Sequence, residues 1–433
     1  MKQIILLLNF VYVVSSCQVK TVIPTTPPIV ETYSADSLKQ MKYMHFFDKS
    51  QTFNYHQFLQ YRDIEEKIPE GIERKNYYSH LALLESYLGN YYTSIELTDK
   101  SNLQPTDMVT FSDDGSMTKS LFYPKTAYST YNDSLISVNY EKIPLSDLLQ
   151  NLGNETQVFG INEVHGVSLS RSFIYNMLPI LKKKGFNYLV LEGLYEEIQE
   201  EHNSSIYPLK NAGWLVAETI MGELQRQAKE LGFTLVSYDV QGTGSNVTRE
   251  LQSFQNIQDR IFKNDPNAKI ILFAGHSHVS ELPIGKLLPF GAQFLEVGID
   301  PLTINQTDYY ERNVPINITE PTILKPKNQS NVKSRFDLTL ILPKSQEING
   351  RPSWLWQMNR KPVSIQQDKV ENISEPFLIE SFIEGQSYDG IPIDRIEIKD
   401  KNKLPSLALR TGKYRIRLTS KINEISEYSI HVK

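Results

Sequence analysis

Apolar residues change their spacing along the chain, and each change predicts a different kind of structure. Between residues 36 and 100 they recur at helical intervals, and Gly89-Asn90 divides the stretch 77–97 into two helices. From residue 157 onward, short continuous apolar runs alternate with amphipathic helical segments. Beyond about residue 362 no long helical pattern remains. The chain is therefore predicted to pass from helical, through mixed, to β-rich structure.

The alternation in the middle of the chain predicts the fold class: α/β, with a mostly parallel sheet flanked by helices. The predicted strands are short, continuous and rich in β-branched or aromatic residues, as expected for strands buried on both faces. They cover residues 158–161, 188–191, 234–238 and 270–274, with further strands at 294–297 and 337–342. The helices between them are predicted at residues 170–184, 214–231 and 249–263.

These patterns divide the chain into segments. A signal peptide ending in a lipidated cysteine (1–17) and a tether (18–35) precede a small helical subdomain (36–103), which resembles a tetratricopeptide-type hairpin. A connector (104–149), the α/β domain (150–343) and a small β-rich module (344–433) follow. Because isolated repeats are not stable, a subdomain packed on its neighbour is favoured over a repeat array. The hairpin is a candidate surface for a protein partner.

The first residues have the features of an export signal. Lys2 precedes an apolar run at residues 4–14 that is too short to span a bilayer, and Val14-Ser15-Ser16-Cys17 resembles the lipobox of bacterial lipoproteins. Cys17 is the one cysteine of the chain, so an internal disulfide is excluded. We expect a protein of the bacterial cell envelope, anchored through lipidated Cys17 to the outer membrane or cell surface rather than to the inner membrane. An ordinary secretory signal is the alternative.

Composition narrows the range of partners. The chain has 433 residues, of which 40% are hydrophobic and 22% charged, as in soluble globular proteins. Its formal net charge of −5 gives no basis for binding nucleic acid. A small molecule or a peptide is therefore the expected substrate.

Acidic and imidazole side chains follow the predicted parallel strands where each strand ends. In an open parallel sheet, ligands bind beyond the carboxyl ends of the strands. A single acid or histidine at such a position is a weak signal, whereas convergence of several strand ends on one edge predicts a site. The residues concerned are Glu163, His165, Glu192, Asp239, His276 and His278.

Two kinds of chemistry fit this set. A histidine beside a carboxylate is a general base near neutral pH and can activate water. Alternatively, the metal-ligand set Glu163, His165, His276 and His278 would bind a divalent metal (zinc, manganese or iron), which lowers the pKa of bound water. The sequence contains no phosphate-binding glycine loop, Gly-x-Ser-x-Gly elbow or His-Glu-x-x-His helix.

Several stretches carry a resemblance to a known superfamily. They are residues 160–166, Arg171, 185–192, 228–233, Arg249-Glu250, Asn256-Ile257, 266–269 and 275–281, and the later residues 350–355 also resemble a feature of bacterial relatives with this domain. In order and spacing they are similar to the superfamily that joins erythromycin esterases, haem-binding ChaN-like proteins and TIKI/TraB-type proteins. The resemblance covers about residues 150 to 300 and implies an α/β fold with a site at the strand ends.

The esterase branch implies roles for individual residues. His165 would activate water, oriented by Glu163 and Glu192, and His276 or His278 would complete the catalytic set. Arg171 would hold an anionic group, and Asp239, Arg249 and Glu250 would contact the substrate. The resulting hypothesis is a histidine-based, or metal-assisted, hydrolase of an ester, amide or related bond.

Two other classes stay open on the sequence. The first is a haem- or iron-binding lipoprotein for nutrient acquisition, in which Tyr175, Tyr195 or Tyr238 would be an axial ligand. The second is a non-catalytic interaction module. For an enzyme, residues 193–213, with His202 and an acidic run, are predicted to form a cap that selects the substrate.

Overall fold

A computed structural model describes most of the chain: residues 20–21, 33–41, 46, 53–111, 117–122, 133–240, 246–310, 318–327, 334–422 and 424–433. The predicted signal peptide, its lipobox and Cys17 lie outside the described residues. Within these ranges, no helix combines the length and the apolar character needed to cross a bilayer.

The N-terminal part is helical. Strand β1 (Lys20–Thr21) comes first, followed by helices α1 (Ala35–Lys39), α2 (Tyr55–Arg62), α3 (Ile72–Tyr87) and α4 (Tyr91–Leu103). The predicted break lies between α3 and α4, where Gly89 has a φ of +77°. Gly89 also approaches another part of the chain, since a Cβ there would lie 2.1 Å from the carbonyl oxygen of Arg395. A hairpin of β2 (Thr106–Phe111) and β3 (Met117–Phe122) follows.

The central part alternates strands and helices. Its elements are α5 (Asp133–Asn139), β4 (Tyr140–Pro144), α6 (Leu145–Asn151), β5 (Val158–Glu163), α7 (Leu169–Lys183), β6 (Tyr188–Leu191), α8 (Gln199–Ser204), α9 (Thr219–Glu230), β7 (Thr234–Ser237), α10 (Asn246–Ile257), β8 (Ile270–Gly275), α11 (Phe290–Glu296), β9 (Leu302–Asn305), β10 (Thr322–Pro326) and β11 (Leu338–Ile341).

The C-terminal part is built from strands. These are β12 (Glu347–Ile348), β13 (Arg351–Pro352), β14 (Lys361–Val363), β15 (Phe377–Ile383), β16 (Asp394–Ile398), β17 (Leu407–Leu409), β18 (Gly412–Ser420) and β19 (Ile425–Val432). Five strands form an antiparallel sheet in the order β1-β19-β18-β15-β16. The β-rich structure predicted for the end of the chain is therefore confirmed.

The predicted α/β class is confirmed by an eight-stranded sheet with the order β4-β10-β11-β9-β5-β8-β6-β7. The six strands from β11 to β7 in this order pair in parallel, and β10 and β4 close one edge in antiparallel fashion. Alternate side chains enter opposite cores: Leu189 and Leu191 belong to the apolar cluster that includes α7 and α9, and Val190 to the cluster that includes α10 and α11. Strands β5 and β8 are buried throughout.

Two predictions differ from the structure. The strand expected at 294–297 is wrong, because Phe290 and Phe294 lie four residues apart in α11 and are both buried. A four-residue apolar run does not distinguish helix from strand. Helix α9 begins at Thr219 rather than at residue 214, because the Glu218 side chain caps it by accepting from the backbone N–H of Met221 at 2.8 Å.

The three parts of the chain pack on one another around α9 and the helical hairpin α3–α4. Glu223 of α9 is buried and pairs with Arg226 (2.6 Å), with Arg410 (2.8 Å) and with Arg360 (3.4 Å). The insert before α9 is joined to the C-terminal part by backbone hydrogen bonds, from Lys210 N–H to Asp389 and from Ile391 N–H to Pro208. These contacts fix the position of the insert.

The hairpin α3–α4 packs against the turn that follows strand β5. The Ser94 hydroxyl lies 2.6 Å from the carbonyl oxygen of Gly166, just beyond β5. A Cβ at Gly166 would lie 2.9 Å from the Thr98 hydroxyl oxygen, so only glycine fits comfortably against α4. Much of the hairpin surface is thus occupied by the protein itself, and a protein partner at the hairpin stays a prediction.

Candidate active site

The carboxyl ends of four neighbouring parallel strands bring the predicted acids and histidines together. Glu163 ends β5 and is the register partner of Gly275, which ends β8. Glu192 follows β6 directly, and Asp239 lies two residues beyond β7. The topology alone therefore places these side chains, and those of the turn after β8, at one edge of the sheet.

Glu163 and His165 form a hydrogen-bonded pair at this edge. His165 Nδ1 lies 2.8 Å from Glu163 Oε1, and the imidazole is 26% exposed, whereas Glu163 is buried. Burial alone would raise the pKa of Glu163, but Arg171 and His165 outweigh it and lower that pKa to about 2. The ionised carboxylate can only accept, so Nδ1 of His165 carries a proton and Nε2 keeps its lone pair when the ring is neutral.

The pKa of His165 is raised by its neighbours. Burial lowers it, but the hydrogen bond that the ring donates to Glu163 and the charges of Glu192 and Glu163 act in the opposite direction and prevail. The ring is therefore a stronger base than a solvent-exposed histidine. Trp214 lies edge-on to the same ring, with centroids 6.2 Å apart.

Arg171 is hydrogen-bonded to both members of the Glu163–His165 pair and is completely buried. Its Nε donates to Glu163 at 2.8 Å, its Nη1 to Glu218 at 2.9 Å and its Nη2 to the carbonyl oxygen of His165 at 2.8 Å. The expectation that Arg171 binds an anionic substrate group is therefore corrected, because its guanidinium faces protein carboxylates and not the cleft. Arg171 positions Glu163 and the turn that carries His165.

A second carboxylate–histidine pair faces the first. His278 Nδ1 lies 2.8 Å from Oε2 of Glu250, which is buried, and the His278 ring stacks on Phe290 with centroids 5.7 Å apart. Burial lowers the pKa of His278, whereas Glu250 and Glu192 raise it, and the net shift is upward. Glu250 therefore orients His278, and its buried carboxylate corrects the expectation that it contacts the substrate.

Glu192 lies between the two imidazoles. Its Oε2 is 4.0 Å from His165 Nε2, and its Oε1 is 3.6 Å from His278 Nε2. The backbone N–H of Gly275 donates to Oε2 at 2.6 Å. Burial raises the pKa of Glu192, but both histidines, this hydrogen bond and Arg249 lower it overall. The centre of the site is thus an ionised carboxylate facing the Nε2 atoms of two histidines.

Gly275 makes room for this arrangement. A Cβ at this position would lie 2.5 Å from Cε1 and 2.6 Å from Nε2 of His165, and 3.0 Å from Oε2 of Glu192. Atoms of other residues do not approach a Cβ so closely, so any larger residue displaces the imidazole. Gly275 is therefore required by the geometry of the site and not by its own backbone angles.

His276 has a strained backbone and an exposed side chain. Its φ is +44°, a left-handed conformation that non-glycine residues rarely adopt. The conformation is held by the N–H of His276, which donates to the Glu163 carbonyl oxygen at 2.8 Å, and by the Asn162 side chain, which donates to the His276 carbonyl oxygen at 2.5 Å. The imidazole stands edge-on to His165, with centroids 5.6 Å apart.

Arg249 and Asp239 form the rim on the β7 side. Arg249 Nη2 lies 2.7 Å from Asp239 Oδ1 and 3.4 Å from Glu192 Oε1, and the arginine side chain is 35% exposed. Of the residues expected to contact a substrate, Arg249 is the cation that faces solvent at this edge. Asp239 is largely buried and is oriented toward Arg249.

Sequence reasoning did not single out three residues that shape the site. Glu218 anchors Arg171, Trp214 flanks His165, and Gly275 provides space. Gly275 carried a visible signal, since it directly precedes His276 at the end of a predicted strand. Glu218 and Trp214 had none, because their contacts depend on how the insert after β6 folds back.

The predicted metal-ligand set is not assembled as such. Both Glu163 oxygens already accept hydrogen bonds from Arg171, and one of them from His165 as well. His278 turns its Nδ1 to Glu250. Over the residues that the structure describes, no group of three or more His, Cys, Asp and Glu side chains is arranged to hold a metal ion. A bound metal stays a prediction.

Two of the three tyrosines considered for haem, Tyr175 and Tyr238, are not placed as axial ligands. Tyr175 is buried and donates to the Met358 carbonyl oxygen at 3.2 Å. Tyr238 is buried against Phe290, and burial together with the charge of Glu192 raises its pKa well above the usual value, which opposes a tyrosinate. Tyr195 lies in the insert that carries Trp214.

His202 is a structural residue. The predicted cap places it over a substrate, but its ring is completely buried, with Nε2 2.7 Å from Gln225 Oε1 and Nδ1 accepting from the N–H of Leu209 at 3.2 Å. Burial lowers its pKa to about 4. The expectation that His202 faces a substrate is therefore wrong.

Comparisons with known proteins do not assign the chain to a family. No family model matches it, and no curated protein does. A solved structure described as "Bacterial protein toxins" shares 12% identity, covering 40% of this chain and 39% of its own, with a TM-score of 0.31. Another, "Crystal structure of bacterial protein toxins", shares 16% identity over 47% and 40%, with a TM-score of 0.29. The chain spans about two fifths of the length of these structures.

Proposed function

We propose that the protein is a histidine-based hydrolase of an ester, amide or related bond. The observation that carries the proposal is the Glu163–His165 pair, in which a buried, ionised carboxylate holds Nδ1 at 2.8 Å and leaves Nε2 of a partly exposed ring toward the cleft. Such a pair is the usual device for deprotonating water near neutral pH. The site at the carboxyl ends of parallel strands is where α/β proteins bind their ligands.

In the proposed reaction His165 Nε2 accepts a proton from a water molecule as the water oxygen forms a bond to the carbonyl carbon. The carbonyl π electrons move to its oxygen, and the positive charge of Arg249 stabilises the resulting oxyanion. When the oxyanion collapses, the bond to the leaving group breaks, and His165 returns its proton to that group. Glu163 stabilises the imidazolium throughout.

The cellular place of this activity is part of the proposal. Residues 1–17 favour an envelope protein with its lipid on Cys17, and the substrate would then be an extracytoplasmic small molecule or peptide. If the predicted divalent metal binds at the same edge of the sheet, the hydrolysis would instead be metal-assisted. A haem-binding role has no comparable support, because Tyr175 and Tyr238 are buried.

Gly275→Ala tests the proposal. We expect a panel of chromogenic esters and amides to be hydrolysed by the native protein and about 10²-fold more slowly by Gly275→Ala, because displacing the His165 ring by about 1 Å disrupts its alignment. The matched control is Gly160→Ala in the neighbouring strand β5, since a Cβ there would lie 3.5 Å from the nearest side-chain atom, an ordinary contact. If Gly275→Ala were folded and hydrolysed the panel at the native rate, the assignment of this site would be refuted.

A chelator separates the two hydrolytic routes. Activity that survives extensive treatment with a chelator supports the histidine-based reaction. Loss of activity that zinc, manganese or iron restores contradicts that reaction and favours the metal-assisted one. Elemental analysis of the same samples shows which metal is bound.

The rate should depend on pH through His165. The base acts when neutral, so activity rises as pH increases through its pKa, and the acidic limb should have its midpoint above 6.5 because that pKa is raised. In Glu163→Gln the midpoint should move to lower pH, since the carboxylate that stabilises the imidazolium is gone. Measurement of kcat/KM from pH 5 to 9 decides this, and an unchanged midpoint would contradict the pairing.

A further inference from the structure

A cavity of about 280 Å³ lies where the three parts of the chain meet, apart from the residues of the His165 site. One wall comes from Phe53 and Asn54, just before α2. Lys210 enters from the insert after β6, and strands β15, β18 and β19 supply the remaining wall. Neither the hydrolase proposal nor the resemblance uses any of these residues.

Lys210 brings an ammonium group into this cavity without a hydrogen-bond acceptor. The side chain is only 8% exposed, and its closest carboxylate oxygen, Glu380 Oε1, lies 3.9 Å from Nζ, beyond hydrogen-bond distance. Its other contact is the Phe382 ring, whose centroid is 5.0 Å from Nζ. Among the described residues Nζ donates no hydrogen bond, although a buried ammonium without acceptors is costly.

Arg417 lines the same cavity and also lacks a hydrogen-bond acceptor there, with its side chain 20% exposed. Its guanidinium donates no hydrogen bond to any described residue, and its Nε lies 3.9 Å from Glu427 Oε1. The group stacks over Tyr388, 4.5 Å from the ring centroid. Lys210 and Arg417, which come from separate parts of the chain, therefore both present unused hydrogen-bond donors to one cavity.

The hydrogen bond of Glu380, in the cavity wall, goes to Arg395 and not to Lys210 or Arg417. Glu380 accepts from Arg395 Nε at 2.9 Å, and Lys210, Arg395 and Arg417 overcome the effect of burial and lower its pKa to about 2. Burial lowers the pKa of Lys210 to about 8, against the charge of Glu380. Lys210 and Arg417 line the cavity together with the carboxylates of Glu380 and Asp389, so the charges of the lining balance, but neither cation donates a hydrogen bond to a described residue.

We propose that this cavity binds a small organic carboxylate. The anion would accept from Lys210 and Arg417 and satisfy both cations. A single negative charge suits the site better than the double charge of a phosphate, because Glu380 and Asp389 also line the cavity. Phe53, Leu378 and Ile425 provide apolar walls for a short hydrocarbon portion of the ligand.

Chemical labelling of Lys210 in the full chain tests the proposal with butyrate as the probe. Acetic anhydride modifies neutral amines, so Lys210 is reactive near pH 8, and mass spectrometry follows its acetylation. At ten times the dissociation constant, butyrate should slow acetylation of Lys210 about tenfold, since about a tenth of the sites stay free. Acetylation of Lys413, which is exposed, should not change.

The thermal stability of variants and the protection given by other probes test the proposal further. Butyrate should raise the Tm of the native protein and of Lys413→Met, but not that of Lys210→Met or Arg417→Gln. The Lys210→Met chain should fold, because Glu380 keeps Arg395, and native-protein labelling stands independently of any variant. Equal protection by uncharged butyramide, stronger protection by inorganic phosphate, or no protection by butyrate would each overturn the proposal. None of these readouts requires hydrolysis.

Discussion

Replacing His165 with alanine should lower the hydrolytic rate by about 10²–10⁴-fold while the protein stays folded. The range is that of removing a general base from a proton transfer in the transition state. Folding should survive because the ring is partly exposed and Glu163 keeps its two hydrogen bonds from Arg171, at 2.8 and 3.0 Å. Initial rates on the best substrate of the ester and amide panel, with circular dichroism of the same samples, measure both quantities.

The control for that variant is His431→Ala, which removes an exposed imidazole from β19 without touching the strand-end site. Its rate should equal that of the native protein. If folded His165→Ala retained full activity, the base would be another group, and His278, with Nδ1 held by Glu250 in the same way, would be next to test.

Arg171→Met should lower the free energy of unfolding by about 3–5 kcal/mol, the usual cost of leaving buried charges without their partner. Arg171 is completely buried between Glu163 and Glu218, so its loss leaves both carboxylates without their cation. Methionine fills similar space but donates nothing. Urea unfolding monitored by tryptophan fluorescence measures the change.

The matched comparison is Arg249→Met, which removes an arginine from the rim of the same site. Because Arg249 is 35% exposed, its ion pair with Asp239 should contribute at most about 1 kcal/mol. Adding Glu163→Gln and Glu218→Gln to Arg171→Met should recover part of the loss, since neutral amides cost less to bury than carboxylates. Similar effects of Arg171→Met and Arg249→Met would contradict the buried network.

The sequence was informative where one local pattern decides the outcome. Strand β6 was predicted with both of its ends, because Tyr188–Leu191 is a short apolar run between a glycine turn and an acid. The site edge followed from the same logic, since parallel strands must present Glu163, Glu192 and His276 on one side. Helix α9 was misplaced at its start, because Glu218 acts as its cap only once Arg171 has fixed that carboxylate.

Other features of the site depend on contacts between distant segments and left no local signal. The pairing of Glu250 with His278 joins residues from α10 and the turn after β8. The burial of Arg171 depends on Glu218, 47 positions away. On sequence alone His202 was assigned to the cap over the substrate, and its burial against Gln225 is visible only in the folded chain.

The charge pairs of Glu223 also bear on how this protein can change during evolution. Glu223 lies in the α/β part, whereas Arg360 and Arg410 belong to the C-terminal part. Glu397 of β16 pairs with Arg62 of α2. A recombination event that exchanged the C-terminal part alone would leave a buried carboxylate without its arginine partner on each side of the junction, Glu223 on one side and Glu397 on the other. The strand-end chemistry and the β-rich tail should therefore be inherited together, and the tail is expected to diverge only by coordinated replacement of both members of each pair.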